Sequence, residues 1–267
     1  MQKLSLSQIY IYPIKSMGAI SLKECKLDRF GLLHDRRWMV VDTDGNFLTQ
    51  RQHAEMCLFE VNQLDDGLQI LHKKQSHIDI KVPFEPLTQK SIEVTVWNDK
   101  CKAIIVDENI DKQLSSIFKQ PVHLVKMPES EIRQVDTSYT PQGTITAFTD
   151  GFPLLMISQE SLDLLNSKLE KPVGMLRFRP NLVITGGDAH VEDQKAKFTI
   201  DSCVFEGVKP CSRCVVTTIE PNTAIKRPEP LRTLTQYRIQ DGKVMFGMNV
   251  FHHHSNCSIK VGSSINY

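Results

Sequence analysis

The chain has 267 residues, 40% hydrophobic and 24% charged, with a formal net charge of +1. That length can bury a large core in one or two domains, and the near-neutral balance argues against a non-specific nucleic-acid binder, which would carry a strong basic excess. No apolar run reaches the length of a membrane span, Met1 to Gln8 lacks a charged start followed by an apolar stretch, and seven scattered cysteines outline no disulfide framework. The expected compartment is therefore the cytoplasm.

Alternating apolar residues dominate the first half. Leu4 to Ile11 reads as a strand, and Trp38 to Val41 runs through Asp42-Thr43-Asp44-Gly45-Asn46 into Phe47-Leu48, a hairpin pattern because Asp-Gly supplies the positive φ of a tight turn. Leu58 to Val61 and Leu68 to Leu71 flank Asp65-Asp66-Gly67 as a second hairpin. Ile92 to Trp97 and Ala103 to Val106 flank Asn98-Asp99-Lys100 as a third. Ile110, Leu114 and Ile117 or Phe118 are spaced helically over Asn109 to Lys119, and Pro121 stops that helix. Pro128 to Gly143 is polar and weakly patterned, as in a surface loop. A second helix starts at Ser158, a good N-cap, with Leu162, Leu164, Leu165 and Leu169 as its stripe. Strands are expected again at Leu182–Thr185, Phe198–Phe205, Val215–Ile219, Val244–Phe246 and Ser258–Val261. Many short strands with two or three helices describe an α+β, mainly β architecture.

Cys211-Ser212-Arg213-Cys214 is the most informative stretch. A redox dithiol needs its first Cys at a helix N-terminus, where the dipole lowers the thiol pKa, and Val215–Ile219 instead reads as strand. A zinc half-site needs a second ligand pair, and no other C-x-x-C exists. A thiolate on rigid backbone beside a guanidinium suits one soft metal carrying an anionic group. The alternative for Cys214 is a buried structural thiol. Cys211 reads as structural, and Cys25, Cys57, Cys101 and Cys203 as core residues without companions. His252-His253-His254 and Cys257, added to the Cys211/Cys214 pair, make a rival zinc set. Consecutive strand residues point to opposite faces, so a solvated histidine patch is the simpler account.

In this run the chain resembles the MOSC (molybdenum cofactor sulfurase C-terminal) domain proteins, and among them the amidoxime-reducing molybdenum enzymes and their bacterial relatives. Phe178-Arg179-Pro180-Asn181-Leu182-Val183-Ile184 carries the resemblance upstream, as do Asp150-Gly151-Phe152-Pro153-Leu154 and Ser158-Gln159-Glu160-Ser161-Leu162. Tyr12-Pro13-Ile14-Lys15-Ser16, Asp35-Arg36-Arg37-Trp38 and Thr49-Gln50-Arg51 are similar to the N-terminal half of the same family. The resemblance implies a MOSC β-barrel domain over residues 121–267, with a β-rich N-terminal domain, residues 1–120, packed against it.

It also implies a molybdenum–molybdopterin cofactor. Cys214 would be the metal ligand and catalytic thiolate. Lys15, Ser16 and Arg36 would grip the cofactor phosphate, while Arg179, Asn181, Ser212 and Arg213 would hold the pterin and the surroundings of the metal. Gly151 and Phe152 would contribute backbone, and Asn249 a further contact. The implied reaction is reduction of small N-hydroxylated compounds (hydroxylamines, amidoximes, hydroxylated purine bases) to amines, a detoxifying chemistry. Electrons would come from a separate flavin or iron–sulfur protein, since the chain has neither a G-x-G-x-x-G after a strand nor four cysteines at ferredoxin spacing. No nucleic-acid or membrane partner is expected. The other implied role is that of a sulfur-carrier or cofactor-handling domain, as in the sulfurases. Three departures from the family pattern bear on substrate range: the polar Gln194-Lys195-Ala196-Lys197 after Glu192-Asp193, the closing Val261-Gly262-Ser263, and Gly187 where animal members carry a second Cys.

Overall fold

The structure, a computed structural model, describes residues 3–194, 196–253 and 255–267. Its first strand, Ser5–Ile11, leaves the N-terminal half at once and pairs antiparallel with Leu182–Thr185, in a register that sets Ile9 opposite Leu182. Among the described residues nine strands form this sheet. The path runs from Ile265–Asn266 through Lys197–Ile200, Cys203–Ser212, Lys243–His252, Leu154–Ser158 and Leu182–Thr185 to Ser5–Ile11 and Ile20–Leu22, with Ile239–Gln240 at the side. Leu154–Ser158 and Leu182–Thr185 are parallel, and the helix Gln159–Asn166 lies in the crossover such a pair requires.

Both faces of this curled sheet are covered. Leu154 and Met156 point into one core with Leu6, Ile9, Leu182, Phe198, Phe205 and Val250. Leu155 and Ile157 point into another with Phe178, Val183, Phe246 and the helical Leu162 and Leu165. This is why Leu154–Ser158 shows no polar alternation. Each fully buried Phe or Leu here contributes about 2 kcal/mol of burial energy.

The rest of the N-terminal half is a second body of strands. Trp38–Asp42, Val122–Lys126, Asp99–Ile105 and Ser91–Val96 form one sheet, and Phe59–Gln63, Gly67–His72 and Asp79–Pro83 another. The helix Glu108–Phe118 packs Ile110, Leu114 and Phe118 into their shared core with Val40, Phe59 and Val61. Its cap is Asp107, whose side chain accepts the Asn109 N–H, and Lys119 ends it in the left-handed region. The three expected hairpins all form. At the first, Gly45 has φ +80° and a Cβ there would lie 2.4 Å from Glu93 O, so the turn demands glycine. The third turns one residue earlier than expected: Val96 pairs with Asp99, and Trp97 takes φ 59° at the tip.

Four expectations are corrected. Val215–Ile219 is not a strand, because Val215–Thr218 forms a 3₁₀ turn. Thr217 Oγ1 donates to Cys214 O at 3.0 Å and Thr218 Oγ1 to Val215 O at 2.7 Å, local bonds that outweigh the β propensity of the run. Phe198–Phe205 is two strands, Lys197–Ile200 and Cys203–Ser212, joined by a turn in which Asp201 has φ 51°. Cys203 has a companion after all: it is disulfide-bonded to Cys257, 54 residues on, with Cα atoms 5.8 Å apart. Finally, Pro128–Gly143 is irregular as expected but not wholly superficial, since Arg133, Val135 and Thr140 are buried.

Arg133 links that loop to the next. Its Nε donates to Asp99 Oδ2 at 2.8 Å, and its Nη1 donates to Ala147 O at 2.8 Å and Thr149 O at 2.7 Å. Only 4% of the residue is exposed. Replacing it by methionine keeps the bulk but leaves two carbonyls and a carboxylate unserved. Arg133→Met should lower unfolding free energy by about 3 kcal/mol in urea titration. An unchanged midpoint would mean the 147–150 segment holds itself.

Candidate active site

Segments from both halves of the chain meet beside the nine-stranded sheet and line a cavity of about 330 Å³. Leu154, Leu155 and Asn249 lie on neighbouring strands, paired Leu155 with Asn249. Cys211 and Ser212 end the long strand Cys203–Ser212, and Cys214 caps the following 3₁₀ turn. Lys15-Ser16, Arg36, Thr49–Arg51, Trp97, Thr149–Phe152, Phe178, Arg179, Asn181 and Arg213 add most of the remaining lining. All eleven residues singled out in the sequence (Lys15, Ser16, Arg36, Gly151, Phe152, Arg179, Asn181, Ser212, Arg213, Cys214 and Asn249) line this one cavity.

The cavity is cationic. Lys15, Arg36, Arg51, Arg179 and Arg213 face it against a single lining carboxylate, Asp150. Lys15 is buried; its Nζ donates to Phe148 O at 2.8 Å and to Asp150 Oδ1 at 2.5 Å. Burial pulls the Lys15 pKa down, and Asp150 opposes that pull. Desolvation works to raise Asp150, but Lys15, the Trp97 indole N–H at 3.1 Å and Arg51 outweigh it, so its carboxyl sits well below the usual range. Asp150 is therefore ionised near neutral pH and serves as an anchor, not a proton source.

Arg36 is held from three sides. Its Nη1 donates to Asp35 Oδ2 at 2.5 Å and to Asn181 Oδ1 at 2.9 Å, and its Nη2 to Arg179 O at 3.3 Å. Asn181 is itself buried and fully engaged, since its Nδ2 donates to Tyr10 O at 3.0 Å and its Oδ1 also accepts the Leu155 N–H. Asn181 thus positions Arg36 and ties three segments together. Arg36 and Arg179 both lie over the Tyr12 ring, 4.3 and 4.2 Å from its centroid. Burial brings the Arg179 pKa down to about 10, which leaves it charged at neutral pH. Ser16, Arg36 and Arg179 all have left-handed φ, 71°, 48° and 55°. Such backbone costs of order 1–3 kcal/mol per residue and is kept where the surroundings impose it.

The two cysteines differ in partners. Arg213, the residue between them, donates from Nη1 to Cys211 Sγ at 3.0 Å and from Nη2 to Phe178 O at 2.7 Å. The guanidinium at Cys214 belongs instead to Arg51, whose Nη2 lies 3.3 Å from Cys214 Sγ, from the opposite half of the chain. Arg51 stacks on Trp97 at 4.2 Å, so Cys214, Arg51, Trp97, Asp150 and Lys15 form one continuous chain of contacts. The sequence reading did not assign Arg51, Trp97 or Asp150 to the site. Arg51 and Asp150 stood inside recognised motifs, whereas nothing local marks Trp97.

The rival zinc set is not assembled. His253 Nε2 pairs with Glu206 Oε2 at 3.0 Å, Cys257 is bonded to Cys203, and His254 lies outside the described residues. Among the described residues no three of His, Cys, Asp or Glu stand together as a metal site. No described helix is long and apolar enough to cross a membrane.

Residues 3–121 match the MOSC N-terminal beta barrel domain and residues 144–266 the MOSC domain. Mitochondrial amidoxime-reducing component 1 of Mus musculus is 33% identical over 89% of this chain and 72% of its own length, and the Homo sapiens protein of that name is 33% identical over 88% and 72%. The molybdenum cofactor sulfurase of Solanum lycopersicum is 30% identical over 91% of this chain, which spans 32% of that longer protein. With both halves matched in order and one cavity built from their shared motifs, the chain belongs to the MOSC domain family, with the N-terminal MOSC β-barrel domain.

Proposed function

We propose that this protein is a molybdenum-cofactor oxidoreductase that reduces small N-hydroxylated compounds to amines. The observation that carries the reading is the pairing of a partly exposed thiol, Cys214, with a cationic cavity drawn from both halves of the chain. The donor set fits the cofactor. The cavity, about 330 Å³, is of ligand-binding size. Five cations against one carboxylate suit an anionic pterin phosphate, and a thiolate suits a soft metal. A Cβ on Gly151 would meet nothing within 4 Å, so its backbone is open to a ligand. Arg213 Nε is buried with no partner among the described residues.

In this reading Cys214 holds the metal, and Lys15, Ser16 and Arg36 hold the phosphate. Arg179, Ser212, Arg213 and Asn249, with the backbone of Gly151 and Phe152, would hold the pterin, and Asn181 would serve the cofactor through Arg36, which it positions. When bound, the reduced cofactor would supply two electrons and take up the oxygen of a substrate N–O bond. Overall, N–OH, two electrons and two protons give N–H and water. Arg51 donates to the Cys214 sulfur and so tempers the charge of the ligand, a contact of the kind that tunes a metal. Trp97 offers a flat wall at the cavity for planar amidoximes or purine bases. Asp150 keeps Lys15 and Trp97 in place. Electrons come from a separate redox protein. We place the reaction in the cytoplasm on the five free thiols, Cys25, Cys57, Cys101, Cys211 and Cys214, although the Cys203–Cys257 disulfide runs against a reducing compartment.

The sulfurase relatives support a second reading, in which Cys214 carries activated sulfur for cofactor maturation. Metal analysis separates the two: protein made in a host that synthesises the pterin should contain stoichiometric molybdenum, and persistent absence of metal would overturn the enzyme reading. Cys214→Ser should abolish amidoxime reduction with the fold intact by circular dichroism, because a hydroxyl is a poor substitute for a soft thiolate, while Cys211→Ser keeps much of the activity. Equal, complete loss from both would point to a dithiol instead. Arg36→Ala should lower cofactor retention after dialysis by roughly 10- to 100-fold, matching the ~1.5–3 kcal/mol of a charge-assisted bond, and Lys15→Ala should act in the same direction. Full retention in both would remove the N-terminal half from the pocket. The purified chain should turn over with reduced viologen but not with NADH or NADPH alone. Steady NADH oxidation coupled to substrate, without added protein or dye, would contradict that.

A further inference from the structure

The surface that continues from Cys214 away from the cavity is both apolar and basic. Val215, the residue after the cysteine, is 50% exposed; Leu176 is 40% and Ile225 49% exposed. Three segments converge to make this one face. The turn Met175–Arg177 packs against the turn Val215–Thr218. Ile219 bridges to Lys226, and Arg227 N–H donates to Thr218 O at 3.0 Å. From the hairpin after His72, Lys73 Nζ reaches Pro221 O at 3.1 Å and Asn222 Oδ1 at 2.8 Å, and Lys74 Nζ reaches Thr223 O at 3.1 Å. Lys226 Nζ donates to Arg51 O at 3.0 Å, which ties the face to the residue at the Cys214 sulfur. Lys73, Lys74, Lys226 and Arg227 are all exposed, while the one carboxylate among these segments, Glu220, is already paired with Arg177 at 3.1 Å.

We propose that this face is the docking surface for an acidic electron-transfer protein, an inference that rests on the reading of the cavity as a molybdenum reductase site. Its layout is that of a transient protein contact, with a few apolar side chains at the centre and a charged rim. A rim of four exposed cations, with Glu60 beside Lys73 and Leu176 as the facing carboxylate, keeps a basic excess that steers a partner of opposite charge and sets the on-rate more than the affinity. Position favours a redox protein over an anionic lipid surface: the face begins at the residue following Cys214, where a docked donor stands next to the metal ligand. In each turnover two electrons arrive, one from each of two reduced carrier molecules docking in succession, two protons enter from solvent, the substrate N–O bond breaks, an N–H bond forms and water leaves, and both carriers depart oxidised by one electron.

The test uses the cofactor-loaded full chain reducing a benzamidoxime with three reductants: reduced methyl viologen, and two acidic carriers, reduced flavodoxin and reduced plant-type [2Fe–2S] ferredoxin. With at least one carrier the wild-type second-order rate should be saturable and should fall steeply with added salt. Lys73→Glu/Lys74→Glu/Arg227→Glu should lower that rate at least tenfold at low ionic strength and leave viologen turnover within twofold. Lys74→Glu alone, a milder change, should lower it about threefold. Viologen turnover with no carrier-driven turnover, or carrier rates indifferent to salt and to both variants, overturns the surface alone. No viologen turnover in the wild type removes the catalytic reading and the proposal with it. If the triple variant loses binding to phosphatidylserine vesicles but keeps its carrier-driven rate, the face serves a membrane and the proposal fails.

Discussion

The antiparallel pairing of Ser5–Ile11 with Leu182–Thr185 is the constraint on which the site depends. It carries the chain's first strand into the sheet of the second half, with Tyr10 N–H donating to Asn181 O at 2.8 Å. The residues that follow must then emerge beside the segment that precedes Leu182. Tyr12 therefore lies under Arg179, and Arg36 reaches Asn181. Without this pairing the N-terminal cations and the Cys214 turn would belong to different bodies. A long-range strand pair is costly to form, since loop-closure entropy precedes the gain in contacts. Here Leu6, Ile9, Leu182 and Ile184 repay it by burying their side chains in one core.

Around that seam the protein keeps positive charge concentrated and only partly neutralised. Asp35 balances Arg36 from behind and Asp150 balances Lys15 from the side, while Arg51 and Arg213 each turn one end toward sulfur. Burial opposes the charge on Lys15 and on Arg179, and both are retained through specific partners. Four residues with left-handed backbone, Ser16, Arg36, Trp97 and Arg179, lie on this cavity. Strained backbone and an excess of positive charge thus coincide at this cavity, each held there by its surroundings.

The geometry also divides labour between the two cysteines in a way the motif alone does not. Cys211 ends a strand, packs partly against the apolar core and accepts a hydrogen bond from its own neighbour, Arg213. Cys214 begins a turn and is met by Arg51 from the other half of the chain. A change in the N-terminal half can therefore reach the sulfur through Arg51 and Trp97, and the two halves act on one thiol.

Local patterns determined a good deal. Asp-Gly turns, the Ser158 cap and the 3.6-residue spacing of Ile110 and Leu114 are short-range features, and they form as read. The mainly β class with two helices of appreciable length was legible for the same reason, while the family resemblance, not local pattern, named eleven of the residues that line one cavity. Tertiary structure decided what short-range rules could not. Leu154–Ser158, covered on both faces, carried no period to read. Cys203 met Cys257 only because the fold closes a 54-residue separation. Arg51 and Trp97 came to the site across contacts of 163 and 53 residues. Such partners leave no trace in local spacing, because the energy that selects them comes from burial and charge in the assembled core.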